Sequence, residues 1–271
     1  MPFAHRSSNV LVTGCSSGIG RAICDHLAST GWRVYGGSRT ACVPDAWSYL
    51  PLDVTDEGSV ARAVDAMLAR EGHIDALVAC AGRSLMGAME DTRIEEAEAL
   101  FDTNFFGTVR TIKQVLPAMR RQRAGKIVIV GSIGGVMGLP YLSFYSATKF
   151  ALNGLAEALR LEVAPFGVQI CVINPGDFHT NISANERHTS APAARSPYMA
   201  EHRLARDLFA DRVRNAPSPR AVAESVERLL AAKDLPVRRT VGSPLERLAV
   251  VAKSLLAPRM FEYLLRKNLG S

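Results

Sequence analysis

Short apolar runs alternate along the chain with segments in which apolar residues recur every three or four positions. The runs occupy residues 9–13, 33–36, 47–52, 74–79, 126–130 and 168–173. Between the first two runs, Ile19, Ile23 and Leu27 mark one face of a helix. Strands that alternate with helices are typical of βαβ units. The pattern predicts one α/β domain over residues 1–271, with a doubly wound parallel sheet flanked by helices.

The same periodicity predicts the later helices. Residues 56–70, 93–119 and 143–163 each fit a single helix, as do residues 198–214, 221–232 and 245–269. Residues 237–241 fit an edge strand. Residues 183–219 are rich in Ser, Ala, Arg and Pro, which indicates a helical substrate lid rather than a second domain. Residues 245–271 form a basic amphipathic tail.

The composition is that of an ordinary globular protein, with 48% hydrophobic and 21% charged residues. Residues 127–148 lack charges and are nominally long enough to cross a bilayer. Their glycines and proline favour a strand, a loop and a helix start instead. No apolar run opens the chain, so we expect a cytoplasmic protein. The five cysteines lack metal-ligand spacing, and no metal site is predicted.

Positive charge is concentrated toward the carboxyl end of the chain. Residues 187–271 carry a formal charge of +8, whereas residues 1–186 carry −2. A solvated surface explains this asymmetry, and so does attraction to an anionic membrane or an acidic partner. The apolar face of the tail fits docking on its own domain, on a partner subunit or on a membrane interface. No motif for nucleic-acid binding is present.

A glycine-rich turn follows the first predicted strand and opens a helix. Its glycines are Gly14, Gly18 and Gly20, and Ser16, Ser17 and Ile19 complete the turn. In this context, backbone N–H groups and the helix dipole hold a pyrophosphate. The spacing differs from the common G-x-G-x-x-G pattern, and an ordinary flexible loop is the alternative. The turn predicts a dinucleotide site in a sheet of the Rossmann type.

The end of the second strand indicates which dinucleotide binds. An acidic residue at this position normally contacts the ribose 2′-hydroxyl of NAD. This chain has Gly36-Gly37-Ser38-Arg39 there, and its next acid is Asp45. Arg39, assisted by Ser38, could pair with a 2′-phosphate. We therefore predict that NADP(H) is preferred, with NAD(H) as the alternative.

Four polar residues further along form a candidate catalytic set. Tyr145 and Lys149 lie four positions apart, which makes them neighbours on a helix. The lysine ammonium would stabilise the phenolate, lower the tyrosine pKa and allow proton exchange near neutral pH. Ser132 closes a strand, where its hydroxyl could hold a substrate carbonyl. Asn104 is an unusual residue for the middle of a helix, although local backbone groups alone could satisfy it.

The order of these motifs resembles the short-chain dehydrogenase/reductase family, and the layout is similar to its steroid- and retinol-dehydrogenase branch. The resemblance covers residues 9–180. It is carried by Thr13-Gly14-x₃-Gly18-Ile19-Gly20, Asp53-Val54, Ala79-Cys80-Ala81-Gly82, Asn104, Ser132, Tyr145-x₃-Lys149 and Pro175-Gly176.

The resemblance implies a role for each of these residues. Tyr145 would be the acid/base, and Lys149 would lower its pKa and hold the nicotinamide ribose. Ser132 would orient the substrate, and Asn104 would anchor a water in a proton relay. Further cofactor contacts would come from Asp53, Val54, Ala81, Gly82, Pro175, Gly176 and Thr180. Pairing into a homodimer or homotetramer would use the helices at residues 93–119 and 143–163.

The sequence departs from the family at Ala79-Cys80, where two asparagines are usual and would brace the sheet. Apolar residues near the site suggest a hydrophobic alcohol or ketone as substrate. They are Met137, Leu139, Pro140, Tyr141 and Phe178. The leading hypothesis is an NADP(H)-dependent oxidoreductase, and the alternative is a catalytically silent nucleotide sensor or scaffold. Ser132 does not lie in a G-x-S-x-G elbow, which argues against a serine hydrolase.

Overall fold

The structure is a computed structural model that describes residues 8–42, 45–180, 187–188 and 196–269. A parallel sheet of seven strands forms its centre, in the order β3-β2-β1-β4-β6-β7-β9. The strands are β1 (Asn9–Thr13), β2 (Arg33–Ser38), β3 (Ser48–Pro51), β4 (Ala76–Ala79), β6 (Gly125–Val130), β7 (Val168–Pro175) and β9 (Arg238–Val241). The predicted doubly wound parallel sheet is confirmed.

Helices cover both faces of the sheet. The first five are α1 (Gly18–Ser29), α2 (Glu57–Glu71), α3 (Ile94–Phe101), α4 (Gly107–Gln122) and α5 (Ser143–Val163). The others are α6 (Met199–Asn215), α7 (Arg220–Ala231), α8 (Pro244–Leu255) and α9 (Pro258–Leu269). Side chains of α1 and α7 share one buried apolar cluster with the sheet, and side chains of α2, α4 and α5 share the other. The central strands β1, β4 and β6 are buried along their whole length, as their apolar runs require. The edge strand β9 has no buried residue.

The order of the strands places a crevice at the centre of the sheet. The chain builds outward from β1 to β3, then returns to start β4 on the other side of β1. Loops from the carboxyl ends of β1 and β4 therefore diverge, which is where open α/β sheets bind ligands. The predicted glycine turn lies at this point.

The single helix predicted over residues 93–119 is wrong in one respect. A π-helical segment, Asp102–Phe106, separates α3 from α4. The segment contains Asn104, whose side chain bonds to the backbone of Arg83 instead of facing solvent. A widened turn accommodates one extra residue, and such turns are frequent at functional sites.

The continuous tail helix predicted over residues 245–269 is also wrong. Leu256 has an extended backbone, with φ −89° and ψ 148°, and α9 begins at Pro258. Proline lacks the N–H that a continuous helix needs and disfavours helical geometry in the residue before it. The tail is therefore two helices of twelve residues each.

Residues 127–148 fold as the strand β6, a loop and the start of α5, as predicted. Among the helices of the described residues, none has the length and apolarity needed to cross a bilayer. The predicted lid lies partly outside the described residues, and α6 is its described helix. A second small sheet pairs β5 (Leu85–Met86) with β8 (Arg187–His188), and two-residue strands leave no periodicity to detect.

Candidate active site

The glycine turn lies where β1 and β4 diverge. Gly14 has a φ of 76°, which a residue with a side chain adopts only under strain. A methyl group on Gly14 would also lie 2.8 Å from the Cα atom of Ala81, just after β4. The two loops therefore touch through backbone atoms, and only glycine fits between them.

The amino terminus of α1 is open to an anion. Ser17 caps the helix with an extended backbone, and its side chain makes no capping hydrogen bond. The first turn contains no acidic residue. The backbone N–H groups of this turn and the positive end of the helix dipole consequently face the crevice without a negatively charged neighbour in that turn.

A cleft of about 450 Å³ runs along the carboxyl ends of the central strands. This volume is within the range of small-molecule and cofactor sites. Fifteen of the seventeen predicted cofactor residues line it: Gly14, Ser16, Ser17, Gly18, Ile19, Gly20, Ser38, Arg39, Asp53, Val54, Ala81, Gly82, Tyr145, Lys149 and Thr180. The remaining two, Pro175 and Gly176, line an adjoining cavity.

One end of the cleft carries both a carboxylate and a guanidinium. Asp53 accepts hydrogen bonds from the backbone and the hydroxyl of Thr55, at 2.9 and 2.8 Å. Burial opposes ionisation of Asp53, but these bonds and the charges of Arg39 and Arg110 outweigh it. The pKa of the Asp53 carboxyl is therefore below its ordinary value. Arg39 itself is exposed.

The hydroxyl of Ser38 is engaged inside the protein. Ser38 is buried and donates to the carbonyl of Thr40 at 2.8 Å. The thiol of Cys15 lies 3.4 Å from the Ser38 oxygen. Ser38 therefore shapes the loop beside Arg39, and its own hydrogen-bond donor is already used there.

Lys149 lies at the centre of the cleft and is 5% exposed. Its Nζ atom donates to the carbonyl of Val130 at 2.9 Å and lies 5.8 Å from the centroid of the Tyr145 ring. Burial lowers the pKa of the Lys149 ammonium from 10.5 to about 8. The lysine is thus held beside the tyrosine in a setting that resists its positive charge.

Ser132 and Tyr145 lie on either side of Gly134. A methyl group on Gly134 would lie 3.4 Å from the Ser132 hydroxyl oxygen and 3.4 Å from the Tyr145 ring. The Ser132 oxygen accepts a hydrogen bond from the backbone of Gly134 at 3.0 Å. The amide of Asn174 accepts from the Ser132 N–H at 3.1 Å and fixes the strand end. Ser132 and Tyr145 both line the same cavity.

Asn104 lies behind these residues and is fully buried. Its side-chain oxygen accepts from the Arg83 N–H, and its amide group donates to the Arg83 carbonyl, both at 2.9 Å. The amide group also lies 3.2 Å from the hydroxyl of Thr148, on the helix of the candidate acid/base. The side chain of Asn104 therefore fixes the loop after β4 to α5, and neither cavity is lined by it.

Thr13 braces the loop in which the family asparagines are missing. Its hydroxyl oxygen accepts hydrogen bonds from the backbone N–H groups of Cys80 and Ala81, both at 3.1 Å. These bonds join the ends of β1 and β4 through backbone donors. The side chain at position 80 is not needed for them.

The cavity of about 80 Å³ that adjoins the cleft is lined mainly by apolar groups. Ser132, Tyr145, Pro175 and Gly176 line it, together with Leu139 and Phe178 from the predicted substrate residues. Met137, Pro140 and Tyr141 do not line it, which contradicts that part of the prediction. Met137 is buried in the fold, and the Tyr141 ring lies 5.6 Å from the ring of His202 on α6.

Several cavity residues have no signal in the sequence. Thr40, Thr55 and Thr103 line the cleft, and Leu142, Phe209 and Val213 line the apolar cavity. Phe209 and Val213 belong to α6, the described helix of the predicted lid. Their place in the lid was therefore the only indication in the sequence that they could line the cavity.

In the described part of the chain, no group of three His, Cys, Asp or Glu residues could hold a metal.

This chain belongs to the short-chain dehydrogenases, whose family model matches residues 8–191. It is similar to 3-ketodihydrosphingosine reductase of Bacteroides thetaiotaomicron, with 38% identity over 95% of this chain and 96% of that protein. It is 40% identical to human 17-beta-hydroxysteroid dehydrogenase type 1 over 63% of this chain, but covers only 57% of that protein. The predicted family is confirmed.

Solved structures agree with this assignment. A short-chain dehydrogenase from Streptomyces avermitilis superposes with a TM-score of 0.80 at 32% identity, covering 97% of this chain and 99% of that one. The protein is accordingly an oxidoreductase of alcohol or ketone groups with a nicotinamide cofactor.

Proposed function

We propose that this protein is an NADP(H)-dependent oxidoreductase that transfers hydride between the nicotinamide and a hydrophobic alcohol or ketone, with Tyr145 as acid/base. One observation carries the proposal. Tyr145 borders both the dinucleotide-sized cleft and the apolar cavity, and Ser132 and Lys149 flank it. Hydride transfer needs a cofactor and a carbonyl to meet beside a proton donor, and this is where the two cavities meet.

The cleft fits a nicotinamide dinucleotide. The open amino terminus of α1 suits the pyrophosphate, and the exposed guanidinium of Arg39 suits a 2′-phosphate. Ser38 shapes the loop that carries Arg39. Asp53 and Val54 would flank the adenine, and Ala81, Gly82, Pro175, Gly176 and Thr180 would border the nicotinamide half. When bound, the nicotinamide supplies or accepts the hydride.

Within the chain, the proton is handled at the Tyr145 oxygen. The Lys149 ammonium favours the phenolate form of the tyrosine, because an opposite charge lies close to it in a buried setting. Ser132 holds the substrate oxygen by a hydrogen bond, which leaves Tyr145 to donate or accept the proton. Lys149 also holds the ribose hydroxyl groups. Asn104 keeps the backbone in place for a water that joins Lys149 to solvent.

The substrate is a lipophilic ketone or the corresponding alcohol. The space in front of Ser132 is lined mainly by apolar side chains, namely those of Leu139, Leu142, Phe178, Phe209 and Val213. A small hydrophilic substrate would lose hydration against these side chains. Similarity to 3-ketodihydrosphingosine reductase over nearly the whole of both chains supports a long-chain ketone. The similarity to human 17-beta-hydroxysteroid dehydrogenase type 1 covers only 57% of that protein.

The test is NADPH oxidation by the purified protein in the presence of carbonyl compounds. We expect long-chain and steroid ketones to be reduced with a much higher kcat/KM than small hydrophilic carbonyls. Far more efficient turnover of the hydrophilic compounds would contradict the substrate class. Absence of binding by either NADPH or NADH, followed by nicotinamide fluorescence, would contradict the whole proposal.

The protein is proposed to act in the cytoplasm as a homodimer or homotetramer. Phe150 and Leu161 on α5 are 44% and 78% exposed in the monomer. They lie eleven residues apart, about three helical turns, and so share one face. Phe106, the last residue of the π-helical segment before α4, is also exposed. A second copy would cover these side chains, which light scattering of the purified protein tests.

The tail is proposed as a peripheral contact with an anionic lipid surface. Leu248, Leu255 and Leu264 are exposed on α8 and α9, and these helices also carry Arg247, Lys253, Arg259, Arg266 and Lys267. Apolar side chains among cations suit the interface of an anionic bilayer. Binding to liposomes that persists after deletion of residues 245–271 would exclude this role.

A further inference from the structure

We infer that Asp177 is the binding partner of a cationic amino group on the substrate, so that the preferred ketones carry an ammonium group. This inference rests on the proposed function and deepens it. Asp177 lines the same apolar cavity as Ser132 and Tyr145. Asp177 therefore borders the space that a substrate ketone would enter.

Asp177 is held firmly at the end of β7. Its backbone N–H donates to the Glu246 carboxylate of α8 at 2.7 Å. A methyl group on the preceding Gly176 would lie 2.3 Å from a Glu246 oxygen, so the loop and the helix are in direct contact. Glu246 also accepts hydrogen bonds from the N–H and the hydroxyl of Ser243. The cavity-facing segment is thereby anchored by a residue 69 positions away.

Within the described part of the chain, the carboxylate of Asp177 has no partner that would explain its place in an apolar wall. Among the described residues, no hydrogen bond or ion pair reaches its side-chain oxygens, although its backbone N–H donates to Glu246. Burial raises the pKa of the Asp177 carboxyl, the nearby carboxylate of Glu246 raises it further, and Arg212 opposes both. Arg212 is exposed and forms no ion pair with Asp177.

An ammonium group on the substrate would remove this electrostatic cost. A carboxylate in a poorly hydrated wall strongly prefers a cationic hydrogen-bond donor to an apolar ligand. The same wall contains Phe178, Leu139 and Phe209, which suit an alkyl chain. The geometry consequently fits an amphiphilic amino ketone, with its charge at Asp177 and its carbonyl between Ser132 and Tyr145.

The experiment compares three ketones of one chain length: a long-chain 2-amino-3-ketone, its N-acetyl derivative and the deamino 3-ketone. We expect the wild-type protein to reduce the free amine with the highest kcat/KM. In Asp177→Asn, kcat/KM for the amine should fall about 30-fold or more, since a buried charge loses its partner. The change for the deamino ketone should be less than about threefold, and NADPH affinity should not change.

Asp207→Asn is the matched control, because this carboxylate lies on α6, pairs with Arg206 and is exposed. It should leave all three ketones unaffected. A binding measurement removes the dependence on turnover. A long-chain primary amine should bind the NADPH complex of the wild type more tightly than the equivalent alcohol, and Asp177→Asn should abolish the difference.

Equal losses for the amino and deamino ketones in Asp177→Asn would overturn the inference, as would an unchanged preference for the amine. Either result leaves the proposed function intact, since the neutral ketone is still reduced. Failure of the wild type to reduce any lipophilic ketone would contradict the proposed function instead, and the amine-binding comparison would still decide the role of Asp177.

Discussion

The nucleotide end and the substrate end of this site are built in different ways. The nucleotide end is made of backbone: Gly14 touches Ala81 with no room for a methyl group, and Thr13 joins two strand ends through N–H donors. The substrate end is made of side chains from distant elements, such as Phe178 after β7 and Phe209 on α6. Backbone geometry suits a cofactor shared by many enzymes, whereas side chains are free to set the substrate.

The largest expected effect lies at the junction of the two ends. Tyr145→Phe removes the hydroxyl that handles the proton and leaves the ring in place. Positioned acid/base groups contribute about 10²- to 10⁴-fold, so we expect kcat to fall about 1,000-fold. Steady-state NADPH oxidation measures the loss, and fluorescence titration should show nearly unchanged cofactor affinity.

Tyr35→Phe is its control, since the Tyr35 hydroxyl donates to Glu71 and lies outside both cavities. It should retain full activity with a slightly lower melting temperature. A similar kcat for Tyr145→Phe and wild type would show that the Tyr145 hydroxyl does not transfer the proton. The junction of the nucleotide end and the substrate end would then have no catalytic role for this residue.

The second prediction concerns Lys149, whose buried positive charge lowers the free energy of unfolding. Lys149 has a folded-state pKa of about 8 against an ordinary value of 10.5, a difference equivalent to about 3 kcal/mol. Below pH 8 the folded protein bears this whole cost. The cost shrinks as the pH rises from 8 to 10.5, and above that range both states hold a neutral lysine.

Lys149→Met should therefore be inactive yet more stable at pH 7. The substitution would also remove the donor to the carbonyl of the buried Val130, which costs about 1 kcal/mol. The net gain in the free energy of unfolding at pH 7 is then about 2 kcal/mol. Urea unfolding at pH 7 and pH 9.5 checks the sign, since the gain should be smaller at the higher pH. A variant that is less stable at pH 7 would contradict the low pKa.

Local sequence spacing was enough to predict the nucleotide end. The glycine turn and the Tyr145/Lys149 pair depend on neighbours within a few positions, and the structure brings them into one cleft. The roles given to them stay predictions. Proline chemistry at Pro258 could also have predicted the break between α8 and α9.

The substrate end depends on contacts that no periodicity encodes. The backbone of Asp177 donates a hydrogen bond to Glu246, 69 positions away. The π-helical turn places the Asn104 side chain where it can donate to the carbonyl of Arg83. Met137 and Tyr141 have suitable chemistry but lie elsewhere, because residues near a catalytic serine in sequence need not face its cavity. Apolar character predicted the kind of wall, and only the fold decided which side chains form it.

The third prediction tests whether a single side chain governs cofactor choice at the nucleotide end. Arg39→Asp replaces an exposed cation beside Asp53, so the 2′-phosphate of NADPH would meet two carboxylates. We expect NADPH affinity to fall about 30-fold, equivalent to about 2 kcal/mol, and NADH affinity to rise or stay constant. Fluorescence titration with both cofactors measures this.

Arg110→Lys offers a useful comparison, since Arg110 also lies near Asp53 but forms an ion pair with Asp102. It should change the NADPH-to-NADH ratio little. An unchanged ratio of NADPH to NADH affinity in Arg39→Asp would instead mean that the backbone of the glycine turn determines the cofactor preference. The nucleotide end would then depend on backbone atoms alone, whereas the substrate end depends on side chains.

The smallest effect on stability is expected in the tail, where exposed apolar residues contrast most with the buried sheet. Leu255 is 77% exposed, so Leu255→Ser should change the free energy of unfolding by less than about 0.5 kcal/mol. Leu152 on α5 is buried, so Leu152→Ala should lower the free energy of unfolding by about 2–5 kcal/mol.

If the tail contacts lipid, Leu255→Ser should nevertheless weaken co-sedimentation with anionic liposomes, whereas Leu152→Ala should not weaken it under folding conditions. A large loss of stability in Leu255→Ser would mean that the side chain is covered in solution, by a second copy or by its own domain, and the lipid contact would then be the wrong explanation for its exposure.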